Sequence, residues 1–359
     1  MSFLADLTAL VEVESPSADV AATAACAEVV ADLGVRSTGA DPERLVVDGR
    51  IHLRWRFGTG VPRVVLLGHL DTVWPVGTLA RWPFTVDDGR ATGPGVVDMK
   101  AGLVQLFAVL STLDSLDGVA VLVTSDEEIG SPSSRALIEE TAAGAAAALV
   151  LEPSAGGALK TARKGTAAYR LRVTGRASHA GLAPEQGINA GVELAHQILA
   201  IAALGDPGAG TTVTPTVAAA GTTSNTVPAA GSLAIDVRAF DPAELVRVGA
   251  AIRELRPVLP GAVLTVDGGP NRAPLPASAS AGLFTVAELV AAESGLAPLR
   301  GEAVGGGSDG NLTAAIGVPT LDGLGAVGGN PHAEGEWVDL TAMPDRVTLV
   351  AALVRRLLR

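Results

Sequence analysis

Three short, unbroken apolar runs constrain this chain more than any other feature. Residues 64–67 read Val-Val-Leu-Leu, residues 119–123 Val-Ala-Val-Leu-Val, and residues 147–151 Ala-Ala-Leu-Val-Leu. Runs of this length without polar alternation have the character of strands buried on both faces of a sheet. Helix-like stretches follow the first two, at about 101–113 and 133–141. Strands alternating with helices imply an α/β fold with a mostly parallel sheet. The residues after each run are polar: Gly68-His69-Leu70-Asp71-Thr72, then Thr124-Ser125-Asp126-Glu127-Glu128, then Glu152-Pro153. Ligand sites in open α/β sheets lie outside the carboxyl ends of the strands. Three such ends bearing histidine and carboxylates therefore mark a candidate site.

At 359 residues, the chain exceeds what one hydrophobic core usually holds, so two domains are expected. Residues 1–35 read as helices, broken at Ser15-Pro16-Ser17 and stopped at Gly34. From about Lys164 the texture changes. Residues 168–173 alternate like a half-exposed strand. A helix at 187–203, strands at 214–220 and 233–237, a helix at 242–256 and a strand at 263–266 follow. This βαββαβ order fits a small ferredoxin-like α+β module. After 274–276 the α/β texture resumes, with helices near 280–294, 311–315 and 341–358 and a strand near 318–321. The expectation is a discontinuous domain, 1–163 and 273–359, with 164–272 inserted into it.

A formal net charge of −12 argues against nucleic acid and anionic membranes as partners. It does not exclude an anionic substrate, for which a few local cations suffice. Cys26 is the single cysteine, so neither an intrachain disulfide nor a cysteine-based zinc site is possible. The N-terminal residues lack the basic and apolar regions of a signal peptide, and no apolar stretch reaches membrane-span length. The expected location is the cytoplasm. No Gly-x-Gly-x-x-Gly joins a strand to a helix, which removes a Rossmann-type nucleotide site.

The chemistry-bearing residues are few, since the chain has five histidines. His69 and Asp71 are two apart, so in an extended segment they share a face. A carboxylate there can take the second imidazole N–H and fix the ring for a metal. Taken singly, the polar residues have ordinary readings. His69 and His332 fit exposed turns, Asp98 fits a helix cap, and Glu127, Glu128 and Glu152 fit solvated loops. Taken together, His69, Asp98, Glu128, Glu152 and His332 supply two imidazoles and three carboxylates, a donor set suited to zinc, manganese or cobalt. With one carboxylate shared, each of two metals receives one histidine and one terminal carboxylate. Glu127 is then left as general base for a metal-activated water.

The segments GHLDTVWPVGTL, GPGVVDMKAGL, TSDEEIGS, LEPS, TGRASHAGLAPEQGINA, SNTVPAAGSLAIDVR, GGGSDGNLTAAIGVPTLDGLG and HAEGEWV run in the order of the M20 metallopeptidase family. The chain resembles that family over nearly its whole length, most of all its glutamate carboxypeptidase (carboxypeptidase G2-like) branch. The resemblance implies that Asp98 bridges two divalent ions, zinc first with cobalt or manganese as alternatives. His69 and Glu152 complete one site, and Glu128 and His332 the other. It implies that Asp71 orients His69 and that Glu127 is the base. The inserted module would be a lid that dimerises, so a homodimer is expected. Its His179 would donate to the oxyanion, often across the dimer. Asn225, Arg238 and Arg272 would hold a substrate carboxylate, and 305–309 would lie near the substrate side chain. His52 and His196 match no motif and read as structural.

The implied activity is hydrolysis of the amide bond to a carboxylate-bearing amino acid in a small peptide or N-acyl amino acid. Deacylases of the acetylornithine and succinyl-diaminopimelate type, and dipeptidases, are the alternatives. A non-catalytic binder on the same fold has no need of Glu127.

Overall fold

The computed structural model describes residues 3–359. The start of the expected first helix, at residues 1 and 2, lies outside the described residues. The chain divides into two compact units. One takes the chain up to Arg163 together with Leu275–Val304 and Ser308–Arg359; the other takes Lys164–Pro274 and Gly305–Gly307.

In the first unit, β1 (Glu43–Val47), β2 (Arg50–Arg56), β3 (Val64–His69), β4 (Val119–Thr124), β5 (Ala147–Val150) and the strand Thr320–Leu321 form one sheet. The order across it is β1-β2-β4-β3-β5 and then Thr320–Leu321. The last four of these are mutually parallel, and β1 and β2 run antiparallel at one edge. Every residue of β3, β4 and β5 is buried, because both faces are covered. Leu66, Val121 and Leu149 pack with residues of the helices Val20–Thr38, Ala101–Ser111 and Met343–Leu358. Val65, Leu67, Ala120 and Leu122 point the other way, toward residues of Arg135–Ala142 and Gly310–Ala315. Register fixes the site. His69 lies opposite Thr124 and Leu67 opposite Val150, so the polar residues after all three strands emerge at one edge.

Gly34 does not stop its helix, which runs Val20–Thr38 and ends at Gly39 with φ 73°. A Cβ on Gly34 would meet the Trp55 ring at 2.3 Å. The residue is a packing notch, and packing overrides the propensity cost of a mid-helix glycine. The unit also holds a small sheet of Thr85–Asp87, Arg90–Thr92, Trp337–Asp339 and Gly328–Gly329. These strands are too short to show a period in sequence.

The second unit is an antiparallel sheet of β6 (Gly165–Thr174), β7 (Thr212–Ala220), β8 (Ala230–Ala239) and β9 (Val263–Arg272), in the order β7-β8-β6-β9. Leu171, Val173, Leu233 and Ile235 pack with Leu194 and Ile201 of the helix Ala190–Ala202 and with Leu245 and Val248 of Pro242–Glu254. The βαββαβ order and this strand order are those of a ferredoxin-like module. β9 continues to Arg272 rather than ending near 266, with a register shift between Pro270 and Arg272. Gly268-Gly269-Pro270 hide that continuation from the sequence pattern. Among the described residues no helix is long and apolar enough to cross a membrane.

Candidate metal centre

Two histidines approach one aspartate from opposite sides. His69 Nε2 lies 3.3 Å from Asp98 Oδ1 and 3.4 Å from Glu152 Oε1. His332 Nε2 lies 3.3 Å from Asp98 Oδ2 and 3.0 Å from Glu128 Oε2. Ligand atoms of His69, Glu127 and Glu152 all fall within 4.8 Å of one another, as do those of His69, Asp98 and Glu128. The first unit thus brings His69, Asp98, Glu127, Glu128, Glu152 and His332 together, with Asp71 beneath them. The His69 side chain is 2% exposed and that of His332 51%, so the cluster opens on the His332 side.

The ring of His69 is fixed from below. Its Nδ1 is 2.9 Å from the Asp71 backbone carbonyl and 3.4 Å from Asp71 Oδ1. The nearer partner is therefore the carbonyl, not the carboxylate expected to orient the ring. The Asp71 carboxylate is otherwise engaged: Ser17 Oγ donates to it at 2.6 Å, and the backbone N–H groups of Glu127 and Glu128 donate at 3.2 Å each. One aspartate thus orients both the imidazole and the turn that carries the glutamate pair. With Nδ1 donating, a neutral His69 ring presents its Nε2 lone pair to Asp98 and Glu152.

That arrangement demands positive charge. His69 Nε2, Asp98 Oδ1 and Glu128 Oε1 are buried and make no aligned hydrogen bond. Burial opposes charge on His69, yet Asp71, Asp98 and Glu152 raise it well above the ordinary imidazole value. Asp98 and Glu128 push His332 up to about 10. Burial, together with the Asp98 charge, raises Glu128 to about 7. Burial also opposes ionisation of Asp98, but His332 and His69 hold it well below the usual range. Burial and the Asp98 charge push Glu152 upward, and Arg163, His69 and Lys160 outweigh them to hold it at about 2. Oxygen and imidazole donors of this number facing one another, His69 Nε2, Asp98 Oδ1 and Glu128 Oε1 among them without hydrogen bonds, fit two divalent cations.

The supports of the cluster were not legible in the sequence. Arg163 is fully buried. It binds Asp322 through Nε and Nη2 at 2.7 and 2.9 Å and reaches Glu152 Oε2 at 3.1 Å. Lys160 Nζ stands 3.7 Å from the same oxygen. Glu336, fully buried, accepts from Trp74 Nε1 and from the backbone N–H groups of Gly95, Val97 and Asp98. In sequence nothing local ties these residues to such partners, although Glu336 lies in HAEGEWV and Asp322 in GGGSDGNLTAAIGVPTLDGLG. Ser308 and Asp309, expected near a substrate side chain, are turned inward. Ser308 Oγ donates to Asp322 at 2.5 Å, and Asp309 accepts from Thr124 at 3.0 Å and from Ser131. His52 is structural: it is buried, bonds Ser133 at 3.0 Å, and accepts from Ser125 N–H at 3.2 Å.

In the second unit, His179 is exposed and its Nδ1 accepts from the N–H groups of Gly181 and Leu182, both at 3.1 Å. The neutral ring therefore carries its proton on Nε2, as an outward donor. Asn225, also exposed, is close by: its carbonyl accepts from Ala180 N–H at 2.9 Å, and His179 is bridged to Thr226. Arg238 is held by Asp236 at 2.8 Å and donates to Gly305 O at 3.3 Å. Arg272 is buried. Both arginines sit opposite Thr166 at the start of β6, whereas His179 and Asn225 lie beyond its far end at Thr174. Eight residue steps of strand span about 27 Å, so this unit does not bring His179 together with the arginines.

The arrangement has relatives among known proteins. Carboxypeptidase G2 of Pseudomonas sp. (strain RS-16) is 33% identical over 97% of this chain and 87% of its own length. A succinyl-diaminopimelate desuccinylase of Methylorubrum populi is 30% identical, covering 82% of each chain. An M20 family metallo-carboxypeptidase from Sulfolobus solfataricus superposes with a TM-score of 0.80 over 99% of both chains at 15% identity. Human carnosine dipeptidase 1 does so at 0.76 over 99% of this chain and 96% of its own, at 14% identity. At those identities the two structures speak for the fold alone. The family model described as Peptidase family M20/M25/M40 matches residues 65–356. The chain belongs to that family of metallohydrolases acting on peptide and amide bonds.

Proposed function

We propose that this enzyme is a two-metal amidohydrolase that frees a carboxylate-bearing amino acid, glutamate foremost, from the carboxyl side of an amide bond. One observation carries the reading: each carboxylate oxygen of Asp98 lies 3.3 Å from a different imidazole. His69, Asp98 and Glu152 would hold one ion, and Asp98, Glu128 and His332 the other. Zinc suits this donor set best, with cobalt and manganese as alternatives. When bound, the ions supply Lewis acidity toward the scissile carbonyl and the attacking water.

The protein's own groups do the rest. Glu127, buried beside the cluster, takes the proton of the attacking water and passes it to the leaving amine. His179, with its proton on Nε2, donates to the oxyanion as the carbonyl carbon becomes tetrahedral. Arg238 or Arg272 binds the carboxylate of the departing amino acid, with Asn225, like the neighbouring His179, reaching it from a second copy. The guanidinium fork matches a carboxylate in two parallel hydrogen bonds. Arg238 exchanges its Asp236 partner for the substrate in doing so.

Similarity to carboxypeptidase G2, at 33% identity over 97% of this chain, favours the carboxypeptidase reading. The desuccinylase similarity supports a deacylase as the second. A release assay on metal-loaded protein separates them, with N-acyl derivatives of glutamate, aspartate, neutral amino acids, ornithine and diaminopimelate as substrates. Free glutamate should appear fastest. Faster turnover of an N-acyl ornithine or N-succinyl-diaminopimelate would transfer the assignment to the deacylases. The cytoplasm is the proposed location, in keeping with a lone, unpaired Cys26.

The separation of His179 from Arg238 along one sheet supports a reading in which the two reach a single centre from different copies. The enzyme is accordingly proposed to be a homodimer through the second unit, with His179 acting on the other copy's substrate. Replacing His179 by alanine should lower turnover about 10²–10³-fold, the scale of one oxyanion donor, with metal content unchanged. Mixing His179→Ala with Glu127→Gln protein under subunit exchange should restore part of the activity, since one site of the heterodimer keeps both groups. Demonstrated exchange without recovery would rule out action across the dimer.

A further inference from the structure

Asp98 has an exacting task under the two-metal reading, on which this inference rests. Its two oxygens face different histidines, so a small rotation that improves one contact spoils the other. Among the described residues, its carboxylate has no ion pair apart from those with the two histidines. The orientation has to come through the backbone of residues 95–98, and that backbone is tied to Glu336.

The geometry is specific. Glu336 Oε1 accepts from the N–H groups of Val97 at 2.8 Å and of Asp98 itself at 3.0 Å. Its Oε2 accepts from Gly95 N–H at 2.9 Å and Trp74 Nε1 at 2.8 Å. Four donors converge on an acceptor-only group that is fully buried, which saturates an ionised carboxylate. Gly95 presents its N–H from a left-handed conformation, φ 70°. A Cβ there would come within 2.4 Å of Thr72 Cγ2. The Glu336 carbonyl also accepts from Gly93 N–H at 3.3 Å, and the next residue, Trp337, pairs with Thr92.

The other end of the tie is His332. Residues 330–336 form a compact turn, in which Ala333 N–H donates to Asn330 O and Glu336 N–H to Ala333 O, each at 3.1 Å. Glu336 is thus the fixed end of the turn that presents His332. Its side chain spans 238 positions of sequence to grip Asp98. We propose that Glu336 is a positioning residue that sets Asp98 and His332 in mutual register, so that the metal site they share binds at full affinity only when its carboxylate holds the 95–98 backbone.

The test uses Co²⁺ as probe, because its visible absorption reports ligand geometry. Metal-free full-length protein is titrated as wild type, Glu336→Gln and Trp74→Phe, with the melting temperature of each recorded. Glutamine preserves shape but turns an NH₂ toward backbone N–H donors. Wild type should take up two equivalents. Glu336→Gln should bind the second equivalent 10–100-fold more weakly, the usual range for partners that orient ligands, with an altered Co²⁺ spectrum. Trp74→Phe removes one donor and keeps the charge, so it should shift affinity and spectrum the same way by less. A purely structural role for Glu336 would lower the melting temperature and leave affinity and spectrum of the folded protein as in wild type. That result in both variants overturns the proposal. So does an unfolded Glu336→Gln protein accompanied by wild-type binding in Trp74→Phe. If wild type itself takes up no Co²⁺, the two-metal reading fails and this proposal falls with it.

Discussion

Protein carrying Glu127→Gln should keep its metals and turn over about 10²–10⁴-fold more slowly than wild type, the usual contribution of a positioned general base. Glutamine matches glutamate in shape, so the short turn Glu127–Ile129 and the Asp71 bond to its N–H at 3.2 Å should survive. An amide nitrogen and oxygen cannot shuttle the proton from water to leaving amine. The check is kcat with metal analysis on the same sample. Turnover near the wild-type rate would remove Glu127 from that role.

The Asp98→Ala variant should lose the metals themselves, and activity should fall to the background of metal-free protein. Among the described residues, Asp98 is the one carboxylate within 3.3 Å of both imidazoles, so its removal weakens both sites at once. Changing a residue that only orients a ligand costs 10–100-fold in metal affinity, and deleting the shared ligand should cost more than about 10². The metal-free protein should still fold. The sheet core of Leu66, Val121 and Leu149 does not depend on Asp98, and its removal relieves like-charge crowding with Glu128 and Glu152. Dialysis against a metal buffer followed by elemental analysis, with circular dichroism for the fold, reads both halves of the expectation.

The two variants also show what the sequence made legible. The ends of β3, β4 and β5 were readable because a parallel sheet buries its strands on both faces. The change from apolar run to polar residue then marks the ligand-facing edge directly. His69, Asp98, Glu127, Glu128, Glu152 and His332 follow from that edge and from the family motifs. Gly34 was misread because a glycine that ends a helix and one that admits a tryptophan ring look alike in sequence. β9 was cut short because Gly268-Gly269-Pro270 break the alternation while the strand continues around its register shift. The roles of Arg163, Asp322 and Glu336 are hidden for a different reason. Their importance lies in partners 159 and 238 positions away, and no local pattern encodes such pairs. The spacing of Asp71 from His69 is legible in sequence, but the service of its carboxylate to the N–H groups of Glu127 and Glu128 is not. The placement of Arg238 and His179 at opposite ends of one sheet emerged only from the strand register.

Metal content of the Glu127→Gln and Asp98→Ala proteins, purified side by side and loaded with Zn²⁺, tests the central claim most directly. The account predicts about two ions per chain in the first, as in two-metal hydrolases, and essentially none in the second, with both proteins inactive. Equal metal content in the two, or full turnover in metal-free Asp98→Ala protein, would contradict it.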